Sequence, residues 1–181
     1  MNLKPIAVLV ISASICFTAV ACSGSEDTGG AAPSARPPGW PAPITSAGPA
    51  AGDDPDAVAG AGVREINTLR PAQEAADDPI RRARPWLSEA FTARLGPAAP
   101  AAKGSLEWAD WANDRAQIDA QVLVSGERPP HEAEGHADRK VGVTQTVTWP
   151  DGRQQTLPTF TVTVALTATS SGWRIDGLRR W

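Results

Sequence analysis

The sequence predicts an α+β domain in which N-terminal helices pack on a twisted antiparallel sheet of about four strands. Two observations predict this fold class. Apolar side chains recur at helical spacing between residues 53 and 96, and from residue 116 onward they alternate with polar side chains. Helices followed by a run of strands are typical of the α+β class, so we expect the helices to cover the apolar face of the sheet.

The first half of this region carries three helix-start signals. Asp53-Asp54-Pro55 predicts the first start, because an Asp accepts hydrogen bonds from free N–H groups and Pro fits the first turn. Asp77-Asp78-Pro79 repeats the signal, and Pro85 interrupts the helix that follows. Ser88 caps a short run that Gly96 ends. These signals predict one longer helix and one or two short ones.

The second half has a period of two. A loop at 97–104 and a helical stretch at 105–113 come first, and the stretch holds Trp108 and Trp111 three residues apart. Apolar and polar residues then alternate at 116–124, 139–149 and 159–169, and Trp173 begins a last strand. Val and Thr dominate these stretches, as a half-buried sheet surface prefers. The pattern predicts a sheet with one apolar and one polar face.

The N-terminus has the layout of an export signal. One positive side chain, Lys4, precedes an uncharged and mostly apolar segment that ends in Ala19-Val20-Ala21-Cys22. This ending resembles a bacterial lipobox, in which the cysteine thiol takes a diacylglyceryl group and cleavage frees the cysteine's amino group for further acylation in some bacteria. We therefore expect residues 1–21 to be a lipoprotein signal peptide and Cys22 to carry the lipid. An ordinary signal peptide cut after Ala21 and an uncleaved anchor are the alternatives.

Residues 22–52 are expected to form a disordered tether. Pro, Gly, Ala and Ser dominate this segment, and it has no hydrophobic periodicity. Such a composition cannot bury enough apolar surface to order itself. An isolated Trp40 is the one aromatic residue in it. The predicted division is thus a signal peptide at 1–21, a lipid-anchored tether at 22–52 and a folded domain at 53–181.

Net charge argues against a nucleic-acid-binding protein, and cysteine content argues against a domain held by disulfides. The formal net charge of the 181-residue chain is -3, without the basic stripe of a nucleic-acid-binding protein, so we expect no nucleic-acid partner. The two cysteines are Cys16, inside the signal, and Cys22. The mature chain would keep one thiol and form no internal disulfide, which leaves its core alone to hold the fold.

No combination of residues predicts catalysis or a metal site. His131 and His136 are five residues apart, whereas a zinc helix needs two histidines one turn apart, so we expect an exposed polar loop between strands. Asp119 should face water, and the chain has no Tyr to assist a cavity carboxylate. The carboxylates near a possible mouth are Glu107, Asp110, Asp114 and Asp176. We expect neither an enzyme nor a cofactor.

The remaining candidates are tryptophans and arginines. Alternation places Trp149 in the core, with Trp173 beside it, whereas Trp108 and Trp111 could pack in the core or line a pocket or partner surface. Opposite charges close in sequence predict a solvated helix surface for Arg81, Arg82 and Arg84. Arg179-Arg180, just before the last residue, is expected to belong to a frayed terminus.

Three stretches together resemble a known superfamily. They are Asp78-Pro79 with Trp86 to Leu95, Asp151-Gly152-Arg153 with Thr159 to Val164, and Ser171-Gly172-Trp173-Arg174-Ile175-Asp176-Gly177-Leu178. Residues 53–178 thereby resemble an NTF2-like (cystatin-like cone) domain, in particular the envelope versions of actinobacteria, such as Mce-associated proteins and conjugation proteins of the TcpC and VirB8 kind. The resemblance implies a curved sheet that forms a cone with the helices. It also implies an assembly or docking role for envelope members.

These expectations combine into one functional hypothesis. The chain is expected to be a non-catalytic protein anchored by Cys22 to the outer face of the cell membrane, whose domain docks another envelope protein. The alternative is a cone that binds a small molecule or lipid, with Trp108 and Trp111 at its mouth. An enzyme is the third reading.

Overall fold

A computed structural model describes residues 46–96, 105–128 and 132–180. Over these residues the chain forms four α-helices, one 3₁₀ turn and five strands. The helices are α1 (Pro55–Asn67), α2 (Asp78–Arg82), α3 (Glu89–Leu95) and α4 (Leu106–Asn113), and the 3₁₀ turn is Arg84–Trp86. The strands are β1 (Gln117–Val124), β2 (His136–Thr148), β3 (Gln154–Thr156), β4 (Phe160–Thr169) and β5 (Gly172–Arg180). Among the described helices none is long and apolar enough to span a membrane.

Local capping sets where the helices begin. The Asp54 carboxylate accepts a hydrogen bond of 2.8 Å from the N–H of Ala57, and Pro55 occupies the first turn of α1. Ser88 accepts from the N–H of Phe91 in the same way, and Gly96, at φ 75°, ends α3. The predicted starts of both helices and the predicted end of α3 are therefore confirmed.

The five strands form one antiparallel sheet in the order β1-β2-β4-β5, with β3 paired to β2. Because β3 has three exposed residues and no alternation, the sequence pattern did not reveal it. α1 lies across the sheet with Val58, Ala59 and Val63 buried against it. Helices on an antiparallel sheet confirm the predicted α+β class, and they are the arrangement that the NTF2-like resemblance implies.

The core has two parts. The main cluster joins α1 to the apolar face of β1, β2, β4 and β5, and Val141, Val143, Val164 and Ile175 lie at its centre. A second cluster of Ala116, Ile118 and Val147 lies where β1 begins and β2 ends. Burying each of the valine and isoleucine side chains stabilises the fold by about 2 kcal/mol.

Arg82 is not part of a solvated helix surface, and the prediction for it is wrong. Its side chain is 4% exposed and forms ion pairs with Glu65 and with Glu74, which is equally buried. It also donates to the carbonyl oxygens of Glu65 (2.9 Å) and Thr68 (2.6 Å) at the end of α1. The short sequence spacing suggested local pairing with Asp77 and Asp78, and it is Arg81 that pairs with those carboxylates.

Arg180 does not lie in a frayed end either. β5 continues to Arg180, which pairs with Val162 of β4. The Arg180 guanidinium carbon lies 3.7 Å from the centre of the Phe160 ring, close enough for a cation–π interaction. This stacking and the strand pairing hold the end of the sheet together.

Part of the predicted tether contacts the domain. The Trp86 indole N–H donates a hydrogen bond of 2.7 Å to the Ser46 hydroxyl, and Gly48 lies against Pro85 with φ 74°. A methyl group at Gly48 would lie 2.7 Å from Pro85 Cβ, so glycine is needed at this contact. Ser46 and Gly48, which belong to the predicted tether, thus contact the folded part, while the division of the chain itself stays a prediction.

Candidate functional site

Several of the features predicted from the sequence lie outside the described residues. The signal peptide 1–21, Cys22 and most of the tether lie before residue 46, and His131 lies in the gap between 128 and 132. Lipidation of Cys22 therefore stays a prediction. His136 is exposed at the first position of β2. Within the described ranges, no group of three or more His, Cys, Asp or Glu could hold a metal ion.

The structure separates Trp108 and Trp111. Ser105 caps α4 by accepting a hydrogen bond from the N–H of Trp108. Trp111 packs against the second core cluster. Trp108 is half-buried and belongs to neither cluster. Trp149 and Trp173 both pack against the core, although on different clusters and not together as predicted.

The predicted mouth carboxylates do not converge. Glu107, Asp110 and Asp114 are exposed along α4 and at its end. Asp176 lies in β5, where it accepts a hydrogen bond from the Ser88 hydroxyl and pairs with Arg94 at 3.5 Å. Asp176 therefore fastens α3 to the edge of the sheet. Asp119 faces water as predicted and pairs with Arg70 at 2.6 Å.

The end of α4 holds a backbone feature that the sequence did not reveal. The N–H of Ala116 donates to the carbonyl of Trp111 (2.9 Å), and the N–H of Arg115 donates to the carbonyl of Ala112 (3.2 Å). This pair of bonds is a Schellman motif, whose turning residue adopts the left-handed conformation and is usually glycine. Here that residue is Arg115, at φ 53°.

Arg115 lines a surface cleft of about 370 Å³, which we call the Arg115 cleft. It lies between the segment after α1 and the start of β1. Its other lining residues are Arg70, Ala72, Gln73, Ala116, Gln117 and Pro150. Neither Trp108 nor Trp111 lines it, so the tryptophans are not at the mouth of this cleft.

A larger cleft of about 560 Å³ lies near the opposite end of β1, and we call it the Lys140 cleft. Four cationic and two acidic side chains, with Thr163, line it. Arg128 and Arg139 both pair with Asp56 of α1, Arg139 also pairs with Glu132, and Lys140 pairs with Glu127. Because these cations already have carboxylate partners, the pairs serve mainly to hold the β1–β2 loop against α1.

Two of these pairs shift pKa values. Burial alone would lower the pKa of Arg139, but hydrogen bonds to Asp56 and Glu132 outweigh burial, and the net effect raises that pKa above its ordinary value. A hydrogen bond of 2.9 Å from Lys140 lowers the pKa of the Glu127 carboxyl. Arg139 and Glu127 therefore both stay charged at neutral pH. The sequence held a signal for Arg139, since it shares the alternation of Val141 and Val143.

The outer edge of β1 is open over half its length. Ile118 exchanges both backbone hydrogen bonds with Leu69, so its N–H and C=O point away from β2. Backbone groups two residues apart in an antiparallel strand point the same way. The N–H and C=O groups of Ala120, Val122 and Val124 therefore point to the same edge, where no strand among the described residues pairs with them.

Leu123 places one apolar side chain on the otherwise polar face of the sheet beside this edge. It is 77% exposed, and its neighbour across the β1–β2 pair is Gly142, which has no side chain to cover it. Asp119 and Glu127 flank the open edge, 60% and 73% exposed respectively. The open edge of β1 thus combines free backbone groups, one exposed leucine and an acidic residue at each end.

The chain was compared with known families, curated proteins and solved structures. No family model and no curated protein matches the sequence. Three solved structures are similar at low identity. The chain is similar to an IcmL-like type IV secretion system protein from Legionella pneumophila (11% identity, TM-score 0.48), with 72% of this chain and 94% of that one covered. Likeness to Aln2 from a Streptomyces species (22% identity, TM-score 0.32) covers 40% of this chain and 52% of Aln2.

A third likeness is to the intermembrane space region of the chloroplast protein ARC6, at 16% identity and a TM-score of 0.27. It covers 41% of this chain and 62% of that one. The chain therefore spans about half the length of Aln2 and less than two thirds of the ARC6 region. Likenesses this distant carry no functional argument.

Proposed function

We propose that this chain is a non-catalytic, lipid-anchored protein of the cell envelope, whose α+β domain docks an extended segment of another envelope protein on the edge of β1. The observation that carries the proposal is the open edge at Ala120, Val122 and Val124. An unpaired edge strand offers a ready-made row of donors and acceptors to an incoming strand. Natural proteins usually block such an edge when nothing binds to it.

The surroundings of the edge define the partner's chemistry. An added strand would lie beside Leu123 on one face and beside Val122 and Val124, both half-buried, on the other. Asp119 and Glu127 lie at its two ends. The matching segment is extended and apolar at its centre. At its ends Asp119 and Glu127 already pair with Arg70 and Lys140, so they do not require basic residues in the partner.

Two other occupants fit less well. The chain's own residues 23–45 contain five prolines, Pro33, Pro37, Pro38, Pro41 and Pro43, which lack the N–H groups that a strand donates. A second copy could pair about a two-fold axis through Leu123. That register would place Asp119 opposite Glu127 of the other copy at both ends, and like charges directly opposite are unfavourable. A register centred on Val122 avoids this contact, so the mass of the crosslinked adduct distinguishes a second copy from another protein.

The anchor supports an envelope partner. If Cys22 carries the lipid, residues 23–45 remain between the membrane and the contact that Ser46 makes with Trp86. A flexible chain of this length has a reach of roughly 25 Å. The partner would therefore be another protein at the outer face of the same membrane.

Photo-crosslinking in intact cells tests the proposal. A photo-crosslinking residue in place of Gln121, which is exposed on β1, should give one discrete adduct with a membrane-associated protein. The same residue in place of Glu89, exposed on α3 at the opposite edge of the sheet, should not give it.

A backbone variant makes the test specific. Val122→Pro removes an N–H that points outward, so it should abolish the adduct while the domain still folds, and Val122→Thr, which keeps the N–H, should retain it. Equal adducts from both crosslinker positions, or an adduct that survives Val122→Pro, would contradict docking on this edge. An adduct of twice the chain's own mass would mean that a second copy is the occupant.

A further inference from the structure

The feature that carries a further inference is the arginine at the turning position of the α4 C-terminus. Arg115 adopts φ 53°, a conformation that residues other than glycine reach only at a cost in free energy. The Schellman bonds of Ala116 and Arg115 need that conformation and no particular side chain. Glycine would serve the turn better, so the fold itself does not explain an arginine there.

The Arg115 side chain makes no polar contact with any other residue that the structure describes. Among the described residues its guanidinium forms no ion pair and no hydrogen bond, and it lines the Arg115 cleft. Strained residues whose side chains project into clefts are frequent in binding sites. The exposed guanidinium is therefore available to a ligand in the cleft.

A second arginine in the same cleft is held rigidly. Arg70 donates to the carbonyl oxygens of Leu69 and Ile118, each at 2.9 Å, and to the Asp119 carboxylate. These bonds use three of the five N–H groups of a guanidinium and leave two for a ligand. Because its position is already fixed, Arg70 loses little conformational entropy when it binds.

The rest of the cleft suits a negative charge. Gln73 and Gln117 contribute carboxamide donors, and no acidic side chain is among the lining residues. The formal net charge of the whole chain is -3, so the charge of this cationic lining is opposite in sign to that of the chain. A volume of about 370 Å³ admits a compact group.

We propose that the Arg115 cleft binds a small oxyanion, a phosphate or carboxylate group, between the guanidinium groups of Arg115 and Arg70. Arginine pairs with both groups through two parallel N–H···O bonds. The proposal does not rest on docking at the β1 edge, although Arg70, which lines the cleft, pairs with Asp119 at one end of that edge.

Isothermal titration of the full chain in a nonionic detergent tests the proposal. Inorganic phosphate and sodium acetate are the two probes, each at constant ionic strength, and one site with saturable heat is expected for at least one of them. Arg115→Gln should weaken binding by about tenfold or more, since it removes a charge-assisted pair of hydrogen bonds. Arg84→Gln, at an exposed arginine outside the cleft, should leave affinity unchanged.

A second variant separates binding from folding. Arg115→Gly should lose binding while the fold is at least as stable as before. Saturation by phosphate alone identifies a phosphate site, and saturation by acetate identifies a carboxylate site. Absence of saturable heat with both probes, unchanged affinity in Arg115→Gln or Arg115→Gly, or an equal loss in Arg84→Gln would overturn the proposal.

Discussion

Arg82 and Glu74 form the most deeply buried ion pair among the described residues, with both side chains 4% exposed. Removing two charges from water costs several kcal/mol, and only close pairing with further hydrogen bonds compensates for it. Arg82 meets this requirement through Glu65 and through two carbonyl oxygens at the end of α1. The network joins α1, α2 and the segment between them.

Arg82→Ala should lower the free energy of unfolding by about 3–5 kcal/mol, because it leaves the Glu74 carboxylate buried without a cation. Urea denaturation followed by tryptophan fluorescence measures this change. Arg84→Ala is the matched control, since Arg84 is exposed two residues away, and it should change stability by less than about 0.5 kcal/mol. Equal stabilities of the two variants would refute the structural role of Arg82.

Arg115→Gly should raise the free energy of unfolding by about 1 kcal/mol, because glycine adopts the left-handed conformation without the steric cost that arginine bears. Thermal denaturation should show the higher midpoint. The neighbouring Asp114 has an ordinary helical conformation (φ -80°), so Asp114→Gly should lower stability instead. A loss of stability in Arg115→Gly would show that the side chain has a structural contact after all.

For individual residues, the sequence predicts the contacts that a side chain makes with neighbours close to it in the chain. The caps at Asp54 and Ser88 follow from residues within one helical turn, and both are confirmed. The pairs that hold Arg82 and Arg139 depend on tertiary folding, since Arg139 meets an aspartate 83 residues away. The left-handed Arg115 could not be foreseen either, because glycine is the usual marker of such a turn.

α1 is the element on which the packing of the domain depends, and two of its glycines explain how closely it approaches the sheet. A methyl group at Gly62 would lie 2.5 Å from Ile175 Cδ1 and 3.3 Å from Trp86 Cβ. A methyl group at Gly60 would meet only the side chains of Val124, at 3.2 Å, and Val122. Glycine inside a helix lowers helix stability by about 1 kcal/mol relative to alanine. Both positions therefore have a lower helix propensity but allow α1 to pack closer to the sheet.

Gly62→Ala should therefore destabilise the domain, and Gly60→Ala should not. Overpacking against the buried Ile175 costs about 1–3 kcal/mol and outweighs the gain in helix propensity of about 1 kcal/mol. At Gly60 the half-buried Val124 can shift, so the two effects nearly cancel. Chemical denaturation of both variants measures the difference, and a Gly62→Ala protein more stable than Gly60→Ala would contradict the packing.

The sequence predicted the elements well where their patterns are long. Alternation assigned four strands and the correct faces of β1, β2 and β4, since each is eight or more residues long and buries alternate side chains in the core. The sequence did not predict β3, because its three residues are all exposed and show no alternation of apolar and polar side chains. The end of β5 was missed because two arginines resemble a solvated tail, whereas Arg180 stacks on Phe160.

At the scale of the whole molecule, the proposal joins an anchor, a spacer and a docking edge. A sequence motif can indicate the anchor, because lipidation needs a specific cysteine. No sequence motif indicates the open edge of β1, since the edge consists of backbone groups with which no other strand among the described residues pairs. The sequence correctly assigned Leu123 to the polar face of β1, although only the structure reveals that Gly142 leaves it uncovered.

Lipidation of Cys22 predicts a specific result in growing cells. A clickable fatty-acid probe should label the chain, and the labelled protein should sediment with membranes. Cys22→Ser should abolish the label, and Cys16→Ser, the only other cysteine, should preserve it. An unlabelled protein found in the medium would reduce the N-terminus to an ordinary signal peptide cut after Ala21.

Hydrogen exchange along β1 tests the docking of an added strand most directly. In the purified chain the amides of Val122 and Val124, which point outward, should exchange quickly, and those of Gln121 and Leu123, which face β2, should exchange slowly. In native membranes the docking account predicts that Val122 and Val124 become protected by about tenfold or more, while Gln121 and Leu123 stay as they were. Exchange at Val122 and Val124 that is equally fast in both settings would contradict it.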